Sequence, residues 1–252
     1  MIIGMKKLEK KLELITTSHG CTFYGFADLE GIPTGDLAKF NRGISFVFQM
    51  EPWVMNQLEK GPTDAYSVLY GQVNLRIDAL SDEVVRLLEQ TGHQAWALPS
   101  STRSDPINIR GDFQHKTAAT RAGLGWVGKN CQLVTKPWGP WVRLGTVLTN
   151  APFSPAQPIE KCLCGKCTKC IESCPAKALK GGTWDPYVER ESLLDAWKCD
   201  HYKKTHFLKF HDGHNCGICT QACPIGQKAF KRKENQSSSA LHDYYPKRKN
   251  RA

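Results

Sequence analysis

The 252-residue sequence lacks any apolar run approaching the roughly 20 residues that a membrane-spanning helix requires. It also lacks a recognisable secretory leader, so disulfides, which need an oxidising compartment, are not expected among its 11 cysteines. A phosphate-binding loop of the form G-x4-G-K-S/T is missing as well. These absences predict a cytoplasmic protein outside the membrane, whose cysteines serve a purpose other than cross-linking.

Most of the cysteines lie in two related motifs in the last third of the chain. The first, C-x2-C-x2-C-x3-C-P, begins at Cys164, and the second, C-x2-C-x3-C-P, begins at Cys216. In ferredoxins with two 4Fe-4S clusters, three thiolates of such a run bind one cluster and the fourth binds the other. The second motif lacks its leading cysteine, because position 213 is Gly213, and Cys199 is the nearest spare thiol upstream.

The spacing therefore predicts two 4Fe-4S clusters with four thiolate ligands each. One cluster is expected to bind Cys164, Cys167, Cys170 and Cys223, and the other Cys174, Cys199, Cys216 and Cys219. Structural zinc also uses paired C-x2-C, but it does not need a third cysteine at the same step or C-P twice. The three remaining cysteines are predicted to be unligated, with Cys21 and Cys131 as small core residues and Cys162 too close to Cys164 to fit the repeat.

The net charge of +10 is concentrated at the end of the chain. From Lys228 onward there are eight Lys or Arg residues and two acidic ones, which leaves six of the ten charges in this tail. One interpretation is a solvated, partly disordered end. The other is an anchor for nucleic acid phosphates, in which Phe230, Tyr244 and Tyr245 stack on bases.

The residues before the cysteines predict an α/β body, that is, a layered sheet covered by helices. Apolar periodicity predicts helices at 8–15, 69–87 and 112–121, and strands at 21–26, 44–50, 94–98, 132–135 and 141–148. The expected organisation is an α/β domain at 1–155, a double-cluster domain at 156–228 and a basic tail at 229–252. Gly123, Gly125 and Gly128 spell G-x-G-x-x-G, but the helix precedes this loop and a strand follows it, which argues against a dinucleotide site.

The order of the motifs resembles that of the epoxyqueuosine reductases. AGLGWVGKN, the aromatic turn after it, LGTVLT and then the two cysteine motifs with Cys199 between them follow one another across roughly 105–226. The resemblance implies an α/β (α+β) fold, with a nitroreductase-like corrinoid-binding layer followed by a ferredoxin-like double 4Fe-4S domain. It also implies a fold shared with corrinoid-dependent reductive dehalogenases.

The resemblance further implies a cobalamin, a low-potential donor such as ferredoxin or flavodoxin, and a tRNA substrate. The corrin would lie against the glycine-rich segment. The residues of this segment that would bind it are Ala122, Gly123, Leu124, Gly125, Trp126, Gly128 and Lys129.

Two features depart from the reductase pattern. The position of the reductases' proton-donating aspartate falls at Ile109, whose side chain cannot deliver a proton. Asp105 and Asp112 are the nearest carboxylates, and His115 is the best-placed substitute unless it is a helix-surface histidine without a catalytic role. Many reductases also continue into helical repeats that bind tRNA, so this chain is expected to be a short relative.

Two main hypotheses follow for the function. The first is a cobalamin-dependent iron-sulfur reductase acting on a small or nucleoside-like substrate. The alternative is a two-cluster ferredoxin-type protein that transfers electrons to a corrinoid or a partner enzyme, although 150 residues before the clusters exceed what a ferredoxin needs. A nucleic-acid-binding protein with structural clusters is a third option, but it gives the AGLGW segment no function.

Overall fold

A computed structural model describes residues 2–244, with side-chain environments for residues 4–234. Its main sheet has four antiparallel strands in the order β1-β2-β6-β3, and β4 and β5 form a separate small hairpin. The strands are β1 (Phe23–Asp28), β2 (Arg42–Gln49), β3 (Ala95–Leu98), β4 (Trp126–Val127), β5 (Leu133–Val134) and β6 (Val142–Thr149). The helices before the cysteine motifs are α1 (Ile2–Ser18), α2 (Pro52–Asn56), α3 (Asp64–Gln90) and α4 (His115–Arg121).

One face of the sheet is covered by α1 and α3. The apolar residues of α3 that recur at helical spacing, among them Val73, Ile77 and Val84, are buried in the largest core cluster. Thr63 caps this helix, because its hydroxyl accepts a hydrogen bond from the Tyr66 N–H at 3.1 Å. Gly145 on β6 lets the helix approach the sheet, since a Cβ there would lie 2.6 Å from Ile77 Cγ2.

The opposite face of the sheet carries α4. Ala119 of this helix packs with Val47 and Leu133, while Phe46 on the same strand as Val47 points into the α3 side. Six consecutive residues of β2 are buried, as expected for a strand that is covered on both faces. The predicted layered sheet with helices is confirmed.

The part of the chain with the cysteine motifs is built differently. Its helices are α5 (Lys169–Glu172), α6 (Arg190–Leu193), α7 (Ala196–His206) and α8 (Ile218–Gln221), followed by α9 (Pro224–Tyr244). The connections between them are irregular, and few large apolar side chains are buried there. The segment contacts the body, because the buried Trp141 donates its indole N–H to the Thr220 carbonyl at 2.9 Å.

Helix α9 extends into the predicted tail as far as Tyr244, and Tyr245 and the residues after it lie outside the described part. Phe230 packs edge-to-face on Trp53 with 4.7 Å between ring centroids, so it contributes to the fold. The two interpretations of the tail, a partly disordered end and an anchor for nucleic acid, stay predictions. Within residues 2–244, none of the helices has the length and apolarity to cross a membrane.

Candidate metal centre and adjoining cleft

The thiols of the expected ligand set lie close enough together to influence one another's ionisation. Burial, then the charges of three neighbouring thiols, raise the pKa of Cys170 to about 11. Those neighbours are Cys164, Cys223 and Cys167. Burial likewise raises the pKa of Cys219, followed by interactions that include Cys216, Cys199 and Cys174. These interactions link thiols of both motifs, and the division of the eight ligands into two quartets stays a prediction.

The chemistry of these groups suits an iron-sulfur cluster. Each thiol opposes the ionisation of its neighbours, so four thiolates require the positive charge of bound metal to coexist. All 11 cysteines are free, so none is cross-linked. In the part of the chain that the structure describes, no three His, Cys, Asp or Glu side chains are grouped as ligands for a single metal ion.

The cysteine-rich part adjoins a cleft. Cys131 is buried and lines this cleft. Val127 lines it as well, and a Cβ on the next residue, Gly128, would lie 3.5 Å from Cys164 Sγ.

The cleft consists of three adjoining depressions around the start of α4. Their volumes are about 450, 320 and 480 Å³, and Gln114 lines all three. Each alone matches the size of a site for a small organic molecule, and together they suit a larger ligand. The walls come from the sheet, from the loop before α4 and from the segment 184–193 of the cysteine-rich part.

The glycine-rich segment packs mainly against other parts of the protein. A Cβ on Gly123 would lie 2.9 Å from the Gln157 carbonyl, and one on Gly128 would lie 2.6 Å from Val134 Cγ2 and 3.5 Å from Cys164 Sγ. Ala122 and Leu124 pack in the core, and Lys129 Nζ donates to the Gly165 carbonyl at 2.8 Å. Of the described residues 122–129, Val127 lines the first of the three depressions, and the sequence prediction did not include it.

The two predicted proton donors differ in their surroundings. Asp112 is exposed and lines two of the depressions. His115 has both ring nitrogens engaged, Nε2 with the Pro99 carbonyl at 3.1 Å and Nδ1 with the Thr146 hydroxyl at 3.0 Å. Burial lowers its pKa to about 4, so the ring is neutral near neutral pH and does not carry the extra proton that an acid would donate. This geometry does not support the acid role predicted for His115.

Lys116 is the site residue that sequence reasoning passed over. It lines two of the depressions, and Nζ donates to the Cys131 carbonyl at 3.1 Å. Burial lowers the pKa of this ammonium, the direction expected of a lysine that gives up its proton more readily. Its position beside His115 was visible in the sequence, but its burial was not.

Ile109, at the position of the reductases' aspartate, has an unusual backbone. Its φ is 53°, in the left-handed region that β-branched residues rarely adopt. The loop is held from the cysteine-rich part, because Arg190 donates to the carbonyls of Ile109 at 2.9 Å and Asn108 at 2.7 Å. Arg110 of the same loop pairs with Glu191 at 2.7 Å. A strained loop fixed over the cleft is typical of a functional position.

Comparison with known proteins supports the iron-sulfur interpretation. Residues 163–226 match the family described as a 4Fe-4S double cluster binding domain, a range that includes the eight predicted ligands and excludes Cys162. The epoxyqueuosine reductase of Bacillus anthracis is 50% identical over 123 residues, which cover 45% of this chain and 30% of the relative. That of Synechocystis is 35% identical over 129 residues, covering 47% of this chain and 41% of the relative.

Solved structures share the fold over most of the chain. A catabolic reductive dehalogenase in complex with 3-bromo-4-hydroxybenzoic acid matches with a TM-score of 0.65 at 19% identity, covering 92% of this chain and 35% of that one. An epoxyqueuosine reductase with a modified tRNA stem loop matches with a TM-score of 0.55 at 21% identity, covering 88% and 66%. This chain spans less than half of the curated relatives named above. It therefore resembles the epoxyqueuosine reductases in sequence, carries their kind of double 4Fe-4S domain and shares a fold with them and with reductive dehalogenases.

Proposed function

We propose that this protein is an iron-sulfur reductase that passes electrons through two 4Fe-4S clusters to a cobalamin in the cleft around Gln114, for reduction of a small or nucleoside-like substrate. The observation that carries this proposal is the contiguity of the first cysteine motif with the cleft. Val127 lines the cleft, and a Cβ on the next residue, Gly128, would lie 3.5 Å from Cys164 Sγ. A ferredoxin would need no such cleft at the end of its relay.

The cleft residues fit a large cofactor in size and position. Bound cobalamin would supply a strongly reducing and nucleophilic cobalt, which no amino acid side chain can replace. Gln114, Thr117 and Val127 would form its walls, together with Cys131. The glycine-rich segment supports this wall from behind, because its glycines allow it to pack tightly on the chain.

We assign the proton supply to Lys116 and Asp112. Lys116 holds its proton in a half-buried position whose desolvation favours release, and it borders the depressions on both sides of α4. Asp112 is exposed at the rim, where it can return protons from solvent. His115 instead orients the start of α4 through its two hydrogen bonds.

The partners expected from the resemblance belong to the same proposal. Lys161, Lys166 and Lys169 are exposed around the Cys164 group, which suits docking of an acidic donor such as ferredoxin or flavodoxin. The basic end of the chain would contribute electrostatic contacts to tRNA or another nucleic acid. Part of its charge is committed to the fold, since Lys233 pairs with Glu51 at 2.7 Å and Arg232 donates to the Pro137 carbonyl.

Two measurements test the reductase proposal. Anaerobically reconstituted protein should contain about eight iron and eight sulfide per chain, since each 4Fe-4S cluster contributes four of each. Titration with cobalamin should then change the cofactor's absorbance spectrum with saturation at micromolar protein. Full clusters without cobalamin binding would overturn the reductase proposal in favour of the ferredoxin-type alternative, and a colourless zinc protein would overturn both.

Substitutions separate the roles of the cleft residues. Lys116→Met should lower turnover with an epoxyqueuosine-containing stem loop by about 100-fold, the range of a lost general acid, while cobalamin binding persists. Asp112→Asn should have a smaller effect, because solvent can still reach the cleft. Lys39→Met, at an exposed lysine that does not line the cleft, is the matched control and should leave turnover unchanged. Equal turnover of Lys116→Met and this control would refute the proton role.

A further inference from the structure

A further depression lies next to the cleft and carries an excess of positive charge. It has a volume of about 650 Å³, and its walls come from the first half of α3, the loop after β3, α7 and the turn before the second cysteine motif. Ser101 lines both this depression and the 320 Å³ depression of the cleft, so the two spaces adjoin. We call it the basic pocket, and the residues that define it are Tyr70, Arg103, Lys203 and Asp212.

The cations of the basic pocket are only partly neutralised. Asp200 of α7 is buried, and its carboxylate pairs with Arg103 at 2.8 Å. Lys204 and Lys203 of the same helix approach this carboxylate at 3.0 and 3.7 Å. Three cations thus face one buried carboxylate, and of the described residues that line the pocket only Asp212 is acidic. The buried carboxylate fixes the cations in place, and net positive charge remains at the pocket wall.

Another cation lies between the basic pocket and the cleft. Arg143 lines the 320 Å³ depression, and its guanidinium carbon lies 4.1 Å from the centre of the Tyr70 ring. Its Nη2 donates to Asn74 Oδ1 at 2.8 Å and to the Ser100 carbonyl at 3.0 Å, and both acceptors are neutral. Among the described residues Arg143 forms no ion pair, so its charge adds to that of the pocket.

Hydroxyl groups lie on the same wall. The Tyr70 and Ser101 hydroxyls hydrogen-bond to each other at 2.9 Å, which uses one of their two hydrogens and leaves the other for a further acceptor. Thr102 adds a third hydroxyl. Arginine, lysine and hydroxyl donors around a concave space are the groups that bind the oxygens of a phosphate.

The remaining wall is a turn with an unusual backbone. His211, Asp212 and Gly213 have φ angles of 47°, 51° and 71°. Left-handed backbone is unfavourable for residues that carry a side chain, so contacts must maintain it. His211 Nε2 donates to the Ser67 carbonyl of α3 at 2.9 Å, and its ring lies 5.1 Å from that of Tyr70. The turn is therefore fixed against α3, with Asp212 on the pocket wall.

We propose that the basic pocket binds a phosphate group of a nucleotide, with Arg103 and Lys203 as its charged partners and the Tyr70 hydroxyl as a neutral donor. The volume of the pocket leaves room for the attached sugar. Because the pocket adjoins the cleft, it anchors a nucleotide substrate at a distance from the reacting atoms. The assignment of this phosphate to the substrate rests on the proposed function, whereas binding of the phosphate itself does not.

Binding of guanosine 5′-monophosphate and of guanosine to the reconstituted protein, measured by isothermal titration calorimetry, tests the site. The nucleotide should bind about tenfold more tightly, because it differs from guanosine only in the phosphate. Lys203→Met should weaken nucleotide binding about tenfold, the size of one lost hydrogen bond to a charged group, and leave guanosine binding unchanged. Lys198→Met, at an exposed lysine of the same helix that does not line the pocket, is the matched control and should change neither.

The acidic residue of the wall provides a second variant whose effect has the opposite sign. Asp212→Asn removes a negative charge and should strengthen nucleotide binding about threefold, the size of an interaction between exposed charges. Asparagine is tolerated at positive φ, so the turn should keep its conformation. A general loss of structure cannot tighten binding, so this variant tests the site even if Lys203→Met lowers the iron and sulfide content.

A stem-loop RNA distinguishes two sources of the phosphate. Weaker binding of both nucleotide and RNA by Lys203→Met assigns the pocket to single nucleotide units, and weaker binding of RNA alone assigns it to the backbone of a nucleic acid. Unchanged affinities of Lys203→Met and Asp212→Asn for both ligands would overturn the phosphate site. Wild-type protein that binds no cobalamin but still prefers the nucleotide to guanosine would overturn the proposed function and leave the phosphate site standing.

Discussion

The body up to β6 and the cysteine-rich segment after it are held together by different means. The body buries large side chains such as Phe46, Ile77 and Trp141 completely between a sheet and two layers of helix. The segment with the cysteines buries mainly small or medium side chains, among them Ala178, Leu193 and Ile218, and three of its helices span only four residues. Apolar burial therefore stabilises the body, and thiol ligands stabilise the cysteine-rich segment.

Metal removal should have the largest effect, and it should act on the cysteine-rich segment and not on the body. Chelation of iron under anaerobic conditions should abolish amide protection in 163–226, because the clusters supply the folding free energy of that segment. The sheet strands should stay protected, since their burial does not involve the thiols. Hydrogen exchange followed by mass spectrometry measures both regions in one sample. Loss of protection in β2 and α3 to the same extent would mean that the two halves fold as one unit.

A substitution in the apolar core should destabilise the body and not the cysteine-rich segment. Phe46→Ala removes a fully buried ring and should lower the free energy of unfolding of the body by about 3 to 5 kcal/mol. Leu75→Ala, on the solvent side of α3 at 72% exposure, should change it by less than about 0.5 kcal/mol. Urea unfolding followed by tryptophan fluorescence compares the two variants. Similar losses in both would show that the assumed core does not carry the stability.

Acid should weaken the body through His115. Burial lowers its pKa to about 4, while the unfolded chain titrates near 6.5, so the unfolded state binds the extra proton between these values. The stabilisation is complete above about pH 6.5 and is lost as the pH falls towards 4. Between pH 7 and 5 the wild type should lose on the order of 1 to 2 kcal/mol more than His115→Asn, measured by urea unfolding. Parallel pH profiles of the two proteins would contradict the neutral, buried ring.

The smallest effect is expected in the loop that joins the two halves. Ile109→Gly should raise the free energy of unfolding by about 0.5 to 1 kcal/mol, because glycine adopts the left-handed backbone without the cost of a β-branched side chain. Ile107→Gly, at an exposed neighbour without positive φ, should be neutral or destabilising. Thermal unfolding distinguishes them. Equal shifts would remove the argument for strain at Ile109.

The sequence predicted the body well because its periodicity is strong. The apolar stripe of α3 and the run on β2 follow from burial against a sheet, and both were found close to their predicted bounds. Helix α4 begins at His115 instead of residue 112, and β4 was missed, because two residues are too few to show a period.

The site was predictable where spacing alone determines it and not where packing does. The grouping of Cys199 with Cys216 followed from counting ligands along the chain. The neutral ring of His115 and the desolvated Lys116 depend on residues brought together by the fold. The conformational freedom of the three glycines was recognised, but a sequence cannot say which neighbour approaches them.

The hydrogen bond from Trp141 to Thr220 has a consequence for the iron-free protein. The indole stands directly before β6, in the part of the body that does not involve the thiols, and it contacts the second cysteine motif. We expect the chain around Thr220 to stay tethered to the body after the clusters are removed, even where the rest of 163–226 loses its protection.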